Sequence, residues 1–111
     1  MNDKLLKVRD EFTFALVKMY SELELYDKVW DLEQKRDYIK NNIVELIKIV
    51  NQLCSVPEYV IVASSKTGLD FDHTNPGNIS WALWRLRYVK NVDDFEKTVN
   101  TLLYTLFKAV K

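Results

Sequence analysis

Leu5, Val8, Phe12, Ala15 and Met19 follow one another at intervals of three and four residues, which lays one apolar stripe along an α-helix. Leu16, Tyr20 and Leu23 line its flank, and the stripe then meets Glu22 before resuming at Tyr26 and Val29. Glu22 is either a polar group that fixes register or the point where the helix leaves the core. Phe14 and Val17 lie off the stripe, so the middle of this helix is apolar on more than one side and should be contacted from two directions. A second stripe runs through Leu32, Ile39, Ile43, Leu46, Val50 and Leu53, supported by Ile47 and Cys54. Carrying the first register onward would instead bury Glu33, Arg36 and Lys40 in succession. The register therefore breaks near residues 30–37, where Asp31 and Gln34 have the spacing of an N-terminal capping box. The pattern predicts two antiparallel helices over about 3–29 and 31–54. One continuous helix with a stutter is the alternative, since no Gly or Pro forbids it.

The chain's four backbone punctuators, Pro57, Gly68, Pro76 and Gly77, fall in one central window. Ser55-Val56-Pro57-Glu58 has the form of a capping box with Pro in the first turn, and Lys66 followed by Gly68 has the form of a helix stop. A short helix over 56–66 satisfies both. Against it, Tyr59–Val62 is a β-favouring run and Leu69 and Phe71 alternate with Asp70 and Asp72, the pattern of a β-hairpin over 59–72. The helix is preferred, because an isolated hairpin is marginal in water.

Asn75-Pro76-Gly77 then closes a loop as a turn, and Thr74 or Asn78 opens a helix over 78–90. Asp93 and Glu96 are a further capping pair for a helix over 93–110, striped by Phe95, Val99, Leu102, Leu106 and Ala109, with Leu103, Phe107 and Val110 alongside. The expected fold is all-α: a four-helix-bundle-like single domain over 1–111, with a short helix or β-hairpin inserted between the second and third main helices. Short links at Trp30-Asp31 and Asn91-Val92 imply up-down connectivity.

Composition narrows the function classes. The chain has 111 residues, 48% of them hydrophobic and 29% charged, in the range of an ordinary globular protein. Sixteen basic residues balance sixteen acidic ones, so net charge gives no push toward nucleic acid or an anionic membrane. The lone Cys54 excludes an internal disulfide and suits a reducing compartment. No apolar run has the ~18 residues of a membrane span, and charges recurring through residues 1–20 are unlike a signal peptide. A soluble, cytoplasmic protein with no membrane partner is expected.

The helix over 78–90 holds the features most open to a functional reading. Ile79, Ala82, Leu83, Leu86 and Val89 share one face, while Trp81, Trp84 and Tyr88 share another. Arg85 stands four residues after Trp81 and Arg87 three after Trp84, where both guanidinium groups can lie on indole faces. With Lys90 and no acid, the segment carries +3, directly after a window (55–77) in which Glu58, Asp70 and Asp72 outweigh Lys66. Aromatic stripes at helical spacing usually belong to the core. The sharper reading is a contact face for another protein or a second copy of this chain, built from Trp81, Trp84, Arg85, Arg87 and Tyr88, since Trp, Tyr and Arg dominate binding hot spots. Basic residues interleaved with aromatics also suit nucleic acid, a partner the sequence does not favour.

Asp70, Asp72 and His73 could ligate a metal or serve as acid and base, but the chain holds no second His and no ligand pair at metal spacing. Solvated loop residues are the plainer account. Ser64-Ser65-Lys66-Thr67-Gly68 lacks the first glycine and the residue order of a phosphate loop and reads as a helix end. Cys54, on an apolar flank, reads as a small buried hydrophobe. No catalytic set, cofactor or metal is expected. The leading expectation is a non-enzymatic interaction module, a small regulator, inhibitor or assembly factor.

Overall fold

The computed structural model describes residues 2–66 and 76–107, and among them the secondary structure is entirely helical. Five helices follow in order: α1 (Asp3–Leu25), α2 (Leu32–Val50), α3 (Glu58–Lys66), α4 (Pro76–Arg87) and α5 (Val92–Leu106). Their principal contacts run α1–α2–α3–α5–α4 and back to α1, so each helix is flanked by two others. The radius of gyration, 13.5 Å, is close to the ~13 Å expected of a compact chain of this length. The extents of 42 × 26 × 19 Å describe a slab about two helix diameters thick.

The stripes behave as helical periodicity dictates. α1 buries Leu5, Val8, Phe12, Leu16, Met19, Tyr20 and Leu23, with Ala15 packed at the edge of the core. α2 buries Ile39, Ile43, Leu46 and Val50, and α5 buries Phe95, Thr98, Val99, Leu102, Leu103 and Leu106. Leu32 is exposed rather than part of the α2 stripe, because it occupies the first helical position, outside the span where α1 and α2 face each other. Phe14 is 71% exposed and Val17 is exposed as well, so α1 is not covered on the second side that its apolar middle suggests.

Helix ends depart from the sequence expectation where side chains offer the backbone something better. α1 stops at Leu25 rather than continuing to 29. The Tyr26 ring stacks on Trp30 at 4.7 Å, and the Val29 and Trp30 N–H groups both donate to the Tyr26 carbonyl, which turns the chain. That turn rules out one continuous helix. The Asp31–Gln34 capping box forms as spaced, with the Gln34 N–H donating to Asp31 (2.8 Å) and the Asp31 N–H donating to Gln34 Oε1 (3.0 Å). α2 ends at Val50 rather than 54, and residues 51–54 continue as tight turns.

α3 starts at Glu58, not 56. The Pro57 carbonyl accepts from the Val60 and Ile61 N–H groups, and the expected Ser55–Glu58 box does not form. Residues 59–66 are helical, which removes the first arm of the alternative hairpin. Burial of Val60 and Ser64, four apart, outweighs the β-propensity of Tyr59–Val62. The remainder of that hairpin, the loop with Gly68, and the helix start at Thr74 lie outside the described residues.

α4 starts at Pro76 rather than 78, so Pro76 and Gly77 form its first turn instead of a preceding turn; a missing N–H is harmless there. It closes at Arg87, not 90, because Asn91 and Asp94 take over the next backbone donors. The Asp94 N–H donates to Asn91 Oδ1 at 2.8 Å and the Lys90 N–H to the Asp94 carboxylate at 2.9 Å. Asn91 therefore caps α5 in place of Asp93, and α5 ends at Leu106, with residues 108–111 outside the described set.

The buried side chains form one cluster, within which Phe12 and Phe95 meet edge to face with ring centroids 6.3 Å apart. Phe95→Ala is expected to cost about 3–5 kcal/mol, the range for removing a buried aromatic ring. Phe14→Ala, at an exposed position, should change stability by no more than about 0.5 kcal/mol. Urea denaturation midpoints of the two variants check the contrast.

Candidate functional site

α4 and the two residues after it are two-faced because Ile79, Ala82, Leu86 and Val89 recur at intervals of three or four. Ala82, Leu86 and Val89 are buried, and Ile79 packs against the same core. The opposite side follows from the same periodicity. Trp81 is 40% exposed, Trp84 58% and Tyr88 56%, so the aromatic face of the segment looks outward. A core location, the usual fate of such a stripe, does not apply here.

Within the face the rings and guanidinium groups are ordered by one another. Trp84 and Tyr88, one turn apart, hold their centroids at 5.5 Å with planes tilted by 57°. Arg85 Cζ stands 6.0 Å from the Trp81 ring centroid, the i,i+4 pairing that the spacing suggests. Arg87 departs from expectation, lying over Tyr88 at 5.8 Å rather than over Trp84. Tyr88 stands in the turn just past α4, its N–H donating to the Arg85 carbonyl at 3.3 Å, with its ring beside Trp84 and within reach of Arg87. Among the described residues neither Arg85 nor Arg87 has a carboxylate within ion-pair distance. An exposed cation–π contact contributes about 0.5–1 kcal/mol. That suffices to bias rotamers but not to hold the fold.

Three rings of ~150–250 Å² each, about half uncovered, leave roughly 300 Å² of aromatic surface. An obligate dimer needs on the order of 1,000 Å² per partner, so this face alone is sized for a hot spot within a smaller, reversible contact.

A second feature escaped the sequence. At the α1–α2 corner Tyr38 packs on Trp30 at 4.9 Å, Trp30 stacks on Tyr26, and the Tyr38 hydroxyl donates to the Glu22 carboxylate. This accounts for the polar interruption of the first stripe: Glu22 is a cross-helix partner, half-buried where α1 meets α2. The signal was the interruption itself, but naming Tyr38 requires the antiparallel register, which only the fold supplies. Burial first, then the bond to Glu22 and its charge, hold the phenol well above its usual value of about 10. The Tyr26–Trp30–Tyr38 ring series, with Lys35 donating to Asp27 at 2.8 Å, clamps the turn between the two helices.

Two of the remaining candidates, Cys54 and the Ser64–Lys66 segment, fall among the described residues. Cys54 is partly buried and its thiol donates weakly to the Val50 carbonyl at 3.8 Å. Burial, and then the charge of Glu96, push that thiol up, the reverse of what a nucleophile needs. Ser64–Lys66 form the last turn of α3, and Ser65 Oγ donates back to the Val62 carbonyl, as a helix end rather than a phosphate loop would. Asp70, Asp72 and His73 lie outside the described residues. Among the described residues no group of three or more His, Cys, Asp or Glu side chains converges as a metal site. Among them also, no helix is long and apolar enough to cross a membrane. The chain matches no family model, no curated protein and no solved structure, so its functional reading rests on its own residues.

The raised phenol gives a signed pH dependence. A group whose folded-state value lies above its unfolded one stabilises the fold below the unfolded value, about pH 10 for tyrosine, and ceases to do so as pH rises past it. The stability advantage of the native chain over Tyr38→Phe should be constant below about pH 10 and shrink above it. Urea midpoints for both proteins at about pH 8 and about pH 11 measure it; a gap that widens with pH would contradict the assignment.

Proposed function

We propose that this chain is a small, non-enzymatic protein-interaction module, a regulator, inhibitor or assembly factor. It acts through Trp81, Trp84, Arg85, Arg87 and Tyr88 on the outer face of α4. In this reading the scaffold is a single-domain four-helix bundle of α1, α2, α4 and α5, with α3 as the inserted element. The observation that supports it is the outward placement of both indoles and the phenol on a segment whose opposite side buries Ala82, Leu86 and Val89. Exposed rings packed with cations that have no carboxylate partner among the described residues match the composition of binding hot spots. Such a face loses little side-chain freedom when a partner covers it. The partner is another protein or a second copy of this chain.

Nucleic acid is the second reading, favoured by one observation: both guanidinium groups are stacked on rings without an acidic partner among the described residues. A single-stranded ligand could intercalate its bases into such a comb.

Trp84→Ala separates these outcomes from a passive surface. Capture of host proteins by the native chain should fall at least about tenfold in this variant. Its unfolding free energy should change by no more than about 0.5 kcal/mol, because the ring is more than half exposed. Equal capture by both proteins would remove the proposal. Affinity for a single-stranded oligonucleotide that drops steeply with salt and depends on Arg85 and Arg87 would move the function to nucleic acid.

A further inference from the structure

The outer side of α3 has a composition that none of the above uses. An open groove of about 550 Å³ lies between α3 and α5, lined by Glu58, Tyr59, Val62, Ala63, Lys66 and Tyr104. Tyr59 is 68% exposed, and its ring meets Tyr104 edge-on with centroids 6.4 Å apart, so an aromatic wall stands along one flank. Val62 is exposed between them and solvent, and Ala63 adds no bulk beside it. The groove is thus apolar along its middle and charged only at its ends.

Those ends carry opposite signs on a single helix. Glu58 opens α3 and Lys66 closes it, both are exposed, and neither has an ion-pair partner among the described residues. Eight residues at 1.5 Å each place them about 12 Å apart, too far to pair with one another. Residues 58, 62 and 66 lie four apart, so acid, valine and lysine share one stripe.

That order is self-complementary under a two-fold axis. With the axis through Val62 and two copies of α3 antiparallel, Glu58 of each faces the partner copy's Lys66, and Val62 meets its own counterpart. The small Ala63 permits helix approach at the ordinary ~8–10 Å. Parallel or offset arrangements place like charges together or leave both ends unpaired. A two-fold dimer closes on itself and needs one patch rather than two.

We propose that the α3–α5 groove is a self-association surface, in which α3 of a second copy of this chain lies antiparallel across Val62 and forms two reciprocal Glu58–Lys66 pairs. It is independent of the α4 face and leaves that face open for another partner.

Charge reversal tests it with an internal control. By sedimentation at about 0.05 M salt, where exposed pairs are least screened, the native chain should show a concentration-dependent dimer. Glu58→Lys and Lys66→Glu should each weaken it by roughly tenfold, since each places like charges at both ends. The doubly reversed chain should regain the native affinity, and an equimolar mixture of the two single variants should form a mixed dimer tighter than either variant alone. Both side chains are exposed, so circular dichroism should show all of these proteins folded. Val62→Asp, which puts a charge on the axis in both copies, supplies a second disruption. A native chain that stays monomeric up to about 1 mM, on the scale of weak association, would overturn the proposal. So would a dimer indifferent to these substitutions. A dimer broken by Trp84→Ala but not by charge reversal would place self-association on α4 instead, overturning this inference while leaving the α4 proposal intact.

Discussion

The five helices of the described residues close into a ring around one buried cluster, in which Phe12 and Phe95 meet edge to face. α1 and α5 are far apart in sequence, and this contact joins their apolar stripes directly. α1 is gripped through the stripe that includes Phe12, α5 through the one that includes Phe95, and α2, α3 and α4 complete the wall around them. Burial supplies the attraction, while shape selects the arrangement: perpendicular rings lock the rotation of each helix about its own axis. Once those rotations are set, every other face is assigned. The outward positions of Phe14 on α1 and of Trp84 on α4 follow from which residues had to point in.

The stripes of α1, α2 and α5 were legible in the sequence because each depends only on residue spacing. The Asp31–Gln34 box was legible for the same reason, since both partners lie within one turn. Errors gathered at helix ends, where the deciding partner came from elsewhere. Tyr26 leaves α1 to stack on Trp30, and Asn91 displaces Asp93 as a cap because Asp94 accepts from Lys90 at the same joint. The composition of the α4 face was readable and its orientation was not. Periodicity separates two faces of a helix but cannot say which one the neighbours cover. Tyr38 was invisible for a related reason: its partner Glu22 lies 16 residues back and meets it only across an antiparallel pair.

The two surfaces singled out on this chain differ in kind. The α4 face is rich in rings and cations that order one another within one helix, and it presents a single sign of charge. The α3–α5 groove has both signs, spaced along its length around an apolar middle. On a surface of the first sort a partner, whether another protein or a second copy, has to bring acceptors or acids to the arginines. The second sort tolerates its own copy. Specificity in both cases would come as much from the charges that exclude wrong partners as from the apolar contacts that reward the right one.

The partition of α4 also bears on how such a protein changes over time. Ala82, Leu86 and Val89 belong to the buried core, whereas Trp81, Trp84 and Tyr88 are exposed and stand outside it. Substitutions on the outer row draw little on a stability margin of only several kcal/mol. Mutational drift can therefore explore new outer rows on an unchanged helix, with folding and recognition under separate selection. A lineage built on this scaffold would be expected to keep the inner row constant in size while its outer row diversifies.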